Sequence, residues 1–140
     1  HGYLRWDNSD METSSAYNLV DMELQRCRPW IEAALGYSGN THNFEDIVSG
    51  VKAGTMQLWP APHSCLVTEI VIYPRKKLLN IFLAGGELNE LMGMQADVEK
   101  WAIREGCDGG MISGRRGWER PLKKLGWKFQ HVYYTKEIEN

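Results

Sequence analysis

Long hydrophobic runs are missing from this sequence of 140 residues. Its longest apolar stretches, such as residues 70–73 and 81–84, fall far short of the ~20 residues that a helix needs to cross a bilayer, so a membrane span is excluded. Cysteine is scarce. Cys27, Cys65 and Cys107 form no Cys-x-x-Cys and no cluster with histidine, which argues against a structural zinc site. Each lies in an apolar stretch and reads as buried filler of a protein kept in a reducing, cytoplasmic compartment. His1, His42, His63 and His131 have no ligand spacing, and a catalytic Cys–His pair would need the fold to assemble it. A large excess of one charge is also missing. The formal net charge is −2, which suits a generic polyanion binder poorly. No basic segment followed by an apolar one opens the chain, as a signal peptide would; the start at His1 rather than Met leaves a removed signal open.

What is present describes one globular domain. Hydrophobic residues make up 43% of the chain and charged residues 24%, an ordinary globular balance that excludes disorder as the main state. A chain of this size buries roughly two-thirds of its unfolded surface and holds a core without staples. The charge is uneven. Residues 1–50 carry three basic and eight acidic side chains, and residues 51–140 carry thirteen and ten. The cations concentrate at Arg75-Lys76-Lys77 and between Arg115 and Lys128.

Residues 1–14 are polar and without period, and read as a flexible N-terminal arm or an expression remnant; a single domain follows over 15–140. Apolar residues recur at helical spacing from 16 to 35, with Pro29 predicting a kink or two short helices and Gly36 a stop. A second helix is predicted over 44–53, capped by Asn43 and ended by Gly54. Strands are predicted at 56–59, ended by Pro60 and Pro62, at 64–73 and at 78–84, the last two as an antiparallel hairpin. A long helix follows Gly85-Gly86, with Gly93 disturbing its first turn. A strand at 109–113, a short helix at 118–125 with Pro121 in its first turn, and a final strand at 127–135 complete the order. The passage from 78 to 113 is expected to be a right-handed parallel crossover. The fold class is therefore α/β in layers, with helices on a mixed sheet.

Two places carry a resemblance to the GCN5-related N-acetyltransferase (GNAT) family. Leu78-Leu-Asn-Ile-Phe-Leu-Ala-Gly-Gly-Glu-Leu88 looks like the family's fourth strand running into its pyrophosphate loop. Trp118-Glu-Arg-Pro-Leu-Lys-Lys-Leu-Gly-Trp-Lys128 resembles the late helix and the strand after it, where the family often shows Tyr-x-x-x-Gly-Phe. The similarity spans residues 56–138 and also resembles small acetyltransferase-like proteins of tailed bacteriophages. It implies a mixed, mostly antiparallel central sheet flanked by helices, with acetyl-CoA as cofactor and an amine or protein as acceptor.

The resemblance implies that Leu83, Ala84, Gly85, Gly86, Glu87 and Leu88 hold the cofactor's pyrophosphate, a helix N-terminus offering free amides and glycines allowing close approach. The alternative is that the two glycines merely turn the strand into the helix. The family's loop usually begins with Arg or Gln and spaces its glycines; here they are adjacent, and Glu87 adds negative charge. Arg115 and Arg116 are candidates for the phosphates or adenine. The same basic segment could instead meet single-stranded nucleic acid, or cover core tryptophans with its stems. Leu122 stands where the family's tyrosine acid would be, and a leucine has no proton to donate. Tyr133 and Tyr134 are substitutes, Tyr134 being the catalytic candidate. Glu69, among the apolar residues of 67–73, is the candidate base; the alternative is a solvent-facing strand residue. Two functions follow: an acetyltransferase, or a catalytically degenerate acetyltransferase-like module used in assembly, as a homo-oligomer or with a phage or host protein. Nucleic-acid binding is a third reading that trails both.

Overall fold

A computed structural model describes residues 3–4 and 14–139, with the backbone alone for 14–18. Most of the expected N-terminal arm lies outside the described residues. Of its described part, the Leu4 amide donates to the Leu58 carbonyl at 2.8 Å, and Tyr3 packs against Trp59 and Trp101.

Helix α1 (Ser14–Tyr37) buries Val20, Leu24, Cys27, Ile31, Ala34 and Leu35, a stripe at three- and four-residue spacing. Of the two forms expected at Pro29, two separate helices do not occur; one helix runs through it. Pro29 and Gln25 are both exposed, so the carbonyl that proline leaves without a donor faces solvent. Helix α2 (Phe44–Ala53) begins with a reciprocal capping box between Asn43 and Asp46 and ends at Gly54 with φ 80°.

Four strands form one sheet in the order β1 (Met56–Ala61), β2 (Ser64–Ile72), β3 (Lys77–Gly86), β4 (Gly109–Ile112). The first three are antiparallel, and β4 runs parallel to β3. Strand β1 does not stop before Pro60 as expected. It is an edge strand, so the missing amide of Pro60 breaks no ladder on the outer side. The crossover from β3 to β4 is not one helix but two, α3 (Leu88–Gly93) and α4 (Gln95–Arg104), joined at Met94 just past Gly93. After β4 a 3-10 turn (Arg116–Trp118) leads into α5 (Glu119–Lys124).

The expected final strand at 127–135 is absent among the described residues. The sequence alternates there, but a strand forms only against a neighbour, and this segment pairs with no edge. Phe129, Val132, Tyr133 and Tyr134 are consequently exposed.

Each face of the sheet holds one core. Cys65, Val67 and Leu83 pack under α1 and α2, while Leu66, Leu79, Ile81 and Ala84 pack under α3 and α4. Cys27 and Cys65 meet in the first core. The Cys65 thiol is held far above its usual range by its hydrogen bond with Cys27 and by burial, which makes it an inert core group. This architecture is the expected mixed, mostly antiparallel sheet flanked by helices.

The twin glycines at the end of β3 are required by packing. A Cβ on Gly85 would lie 2.7 Å from the Trp30 carbonyl oxygen of α1. One on Gly86 would lie 2.2 Å from the His63 carbonyl oxygen, and Gly86 has φ +103°. Gly85→Ala should therefore destabilise the fold by about 1–3 kcal/mol, since neither strand nor helix backbone can yield cheaply. Urea unfolding checks this, and an unchanged midpoint would contradict the close approach.

Candidate functional site

The site grows out of a change in pairing along β3. Its first half has strands on both sides. The pairing with β4 runs from Leu78↔Gly109 to Ile81↔Ile112 and stops. At the same point the β2–β3 register shifts, Val67 facing Leu83 and Thr68 facing Ile81, which leaves Phe82 as an extra residue. Such bulges bend a strand and re-aim its side chains. Beyond Phe82 the far edge of β3 faces no strand among the described residues, and its main-chain groups are left for other partners.

Beneath this parting lies a cavity of about 50 Å³. Its walls come from β3 (Ile81, Ala84), the α3–α4 layer (Leu88, Gln95) and the α5 region (Leu122, Trp127), among others. Gln95 is the only polar side chain among the aliphatic and aromatic residues that line it, apart from the indole groups, and none of the lining residues titrates. Leu122 is in the wall, so the position aligned with the family's acid reaches the cleft but brings no hydroxyl.

Arg115 lies against two residues of the cavity wall, Trp118 and Ala84. Its guanidinium stacks between Tyr37, at 4.2 Å, and Trp118, at 4.7 Å, and Nη2 lies 3.5 Å from the Ala84 carbonyl oxygen. Arg116 is exposed nearby in the 3-10 turn. Of the expected cofactor loop, Ala84 and Leu88 line the cavity. Leu83 instead faces the other core, and Gly85 and Gly86 are turned into α1 and the β1–β2 turn. The absence of a Cβ at both glycines is thus required by close internal packing, whatever their amides meet. Glu87 opens α3 without capping it, and its amide donates to the His63 carbonyl.

Glu90 was not singled out by the sequence, yet it ties this corner together. Its carboxylate accepts from the Ser64 hydroxyl and from the His63 amide, the latter at 2.8 Å. The Ser64 hydrogen bond, followed by that amide, holds its pKa below the ordinary glutamate range.

Glu69 continues the alternation of Cys65 and Val67 and so lies on the α1–α2 face, opposite the cavity. It is half-buried, and the Asn80 amide donates to it at 3.2 Å. Asn80 precedes the bulge at Phe82 by two residues, and His42 packs edge-on against the Phe82 ring at 4.8 Å. The α1–α2 loop also walls an open concavity of about 450 Å³ containing Glu32 and Asp46. Both carboxylates are committed, Glu32 to Arg28 and Asp46 to the capping box. Tyr134 is 87% exposed and does not line the cleft. Trp127, expected to open a strand and to be one of the core tryptophans beneath the late cations, is in the cleft wall. The matched Gly126-Trp127 pair was the available signal. Among the described residues no group of three or more His, Cys, Asp or Glu could hold a metal, and no helix is long and apolar enough to cross a membrane.

The lowered Glu90 pKa has a consequence for stability. A carboxylate with a depressed folded-state pKa contributes stability that is fully present above its unfolded value and lost as pH falls through the folded one. Unfolding midpoints should fall on acidification below the ordinary glutamate range, and Glu90→Gln should flatten that part of the profile. An identical acid limb in both proteins would show that Glu90 carries none of it.

No protein-family model and no curated protein matches the sequence. Solved structures do. A probable acetyltransferase aligns with TM-score 0.61 at 9% identity, over 85% of this chain and 94% of that one. Glucosamine-6-phosphate N-acetyltransferase from Arabidopsis thaliana aligns with TM-score 0.60 at 11% identity, over 84% and 95%. An aminoglycoside acetyltransferase from an uncultured soil metagenomic sample, in complex with sisomicin, aligns with TM-score 0.58 at 9% identity, over 84% and 91%. At such identities the likeness is one of fold, and the fold is GNAT-like.

Proposed function

We propose that the chain transfers an acetyl group from acetyl-CoA to an amine, with the thioester arm lying where β3 and β4 part. The observation that carries this reading is the free edge of β3 beyond Phe82 standing over an apolar cavity. Main-chain groups there can pair with the amides of an extended arm, and apolar walls suit its methylenes. Acetyl-CoA supplies an activated acyl carbon. Glu69, held by Asn80 on the opposite face, accepts the proton that the attacking amine gives up. The new C–N bond forms as the C–S bond breaks. Leu122 has no proton to give, so water supplies the one taken by the sulfur. Arg115 and Arg116 meet the phosphates, and the chain from Leu83 to Leu88 shapes the turn beside them.

A second reading has its own support. The cleft lacks any titratable wall residue, and the segment after Trp127 exposes Phe129, Val132, Tyr133, Tyr134 and Ile138. A degenerate module that binds a protein partner would look the same.

Thermal unfolding with acetyl-CoA tests the first reading. A ligand at ~100 times its Kd adds about 2.7 kcal/mol, which moves the midpoint visibly. Glu69→Gln should bind equally well yet lose about 10²–10⁴-fold in the rate of amine acetylation. Arg115→Ala should weaken binding. No shift at millimolar acetyl-CoA, together with a stable oligomer or co-purifying partner, would favour the second reading.

A further inference from the structure

Tyr37 has no packing duty that accounts for it. It ends α1, is 69% exposed and belongs to neither core. The helix stops there through its own backbone. The Ser38 amide donates to the Ala34 and Leu35 carbonyls and the Asn40 amide to the Leu35 carbonyl, each at 3.1 Å, so the stop requires no particular side chain at position 37. The ring meets the Arg115 guanidinium, which lies 4.2 Å from its centroid.

Arg115 is a cation without an anionic partner. It is exposed, and none of the described ion pairs includes it. Among the described residues its side chain donates only from Nη2, to the Ala84 carbonyl at 3.5 Å. One long hydrogen bond does not fix a side chain with so many rotamers. The two rings do more. Trp118 belongs to the same turn, its amide donating to the Arg115 carbonyl at 2.9 Å, and its ring centroid lies 4.7 Å from the guanidinium. Tyr37 supplies the second ring from α1, the helix on the other face of the sheet. Aromatic faces attract the cation without consuming its N–H groups, which stay available to an anion.

We propose that Tyr37 is a positioning residue, whose ring holds the Arg115 guanidinium against Trp118 beside the turn at 83–88 so that its free N–H groups take a phosphoryl group there. This rests on the acetyl-CoA reading and on the place that reading gives Arg115. Tyr37 itself meets no part of the ligand. It acts by removing, before binding, rotamer freedom that Arg115 would otherwise lose on binding. Without the ring the charge remains but is no longer directed, so the loss falls on the phosphates and spares the thioester arm.

Calorimetric titration with acetyl-CoA and with S-acetylpantetheine, which has the arm but neither diphosphate nor nucleotide, tests this. Tyr37→Leu should bind acetyl-CoA about three- to tenfold more weakly than the wild type and S-acetylpantetheine equally well. Tyr37→Phe keeps the ring and should keep wild-type affinity. In an Arg115→Ala background Tyr37→Leu should cost nothing further, because the two residues act as one unit. Unchanged acetyl-CoA affinity in Tyr37→Leu, where Arg115→Ala weakens it, overturns this inference and leaves the acetyl-CoA reading standing. Tighter binding does the same, since the stack would then be a closure, and so does an equal loss for S-acetylpantetheine. If Arg115→Ala binds acetyl-CoA like the wild type, Tyr37 has no cation to position and the inference falls. Absence of any acetyl-CoA binding by the wild type overturns both. Should Tyr37→Leu fail to fold, Tyr37→Gln carries the same comparison.

Discussion

Strand β3 must satisfy two neighbours over its first half and only one over its second. The last pair with β4 is Ile81↔Ile112, and the extra residue Phe82 sits immediately after it. A parallel neighbour that stops halfway leaves a row of main-chain donors and acceptors that have to be met elsewhere. Arg115 meets part of that need at the Ala84 carbonyl, and the α5 region closes over the apolar side. The cavity and the stacked arginine both lie beside this early end of pairing.

The two faces of the sheet divide the work. The α3–α4 face carries a cleft without a titratable wall, suited to an uncharged arm. The α1–α2 face carries the half-buried Glu69, which accepts from Asn80. The bulge at Phe82 and the end of pairing at Ile81 fall at the same point of the strand between these two faces.

The end of β3 shows how one local pattern serves two explanations. Gly85-Gly86 before a helix looks like an anion loop. In three dimensions the missing Cβ of Gly85 admits the Trp30 backbone, and that of Gly86 admits His63 and Ser64. Glu90 then locks the same turn from α3. Replacing these glycines would perturb the scaffold before it perturbed a ligand, so binding data on such variants would be confounded.

Periodicity and punctuation were enough for the helix α2, the β2–β3 hairpin and the parallel pairing of β3 with β4, and for α1 except that Pro29 does not divide it. Those features are local: a burial stripe, the Asn43–Asp46 box and Gly54 act within a few residues. The pairing limit of β3, the face on which Glu69 lies and the packing duty of Gly85 were decided by the tertiary structure alone. So was the unpaired state of the segment after Trp127. These depend on which segments come alongside one another in the folded chain, and no short-range pattern records that meeting.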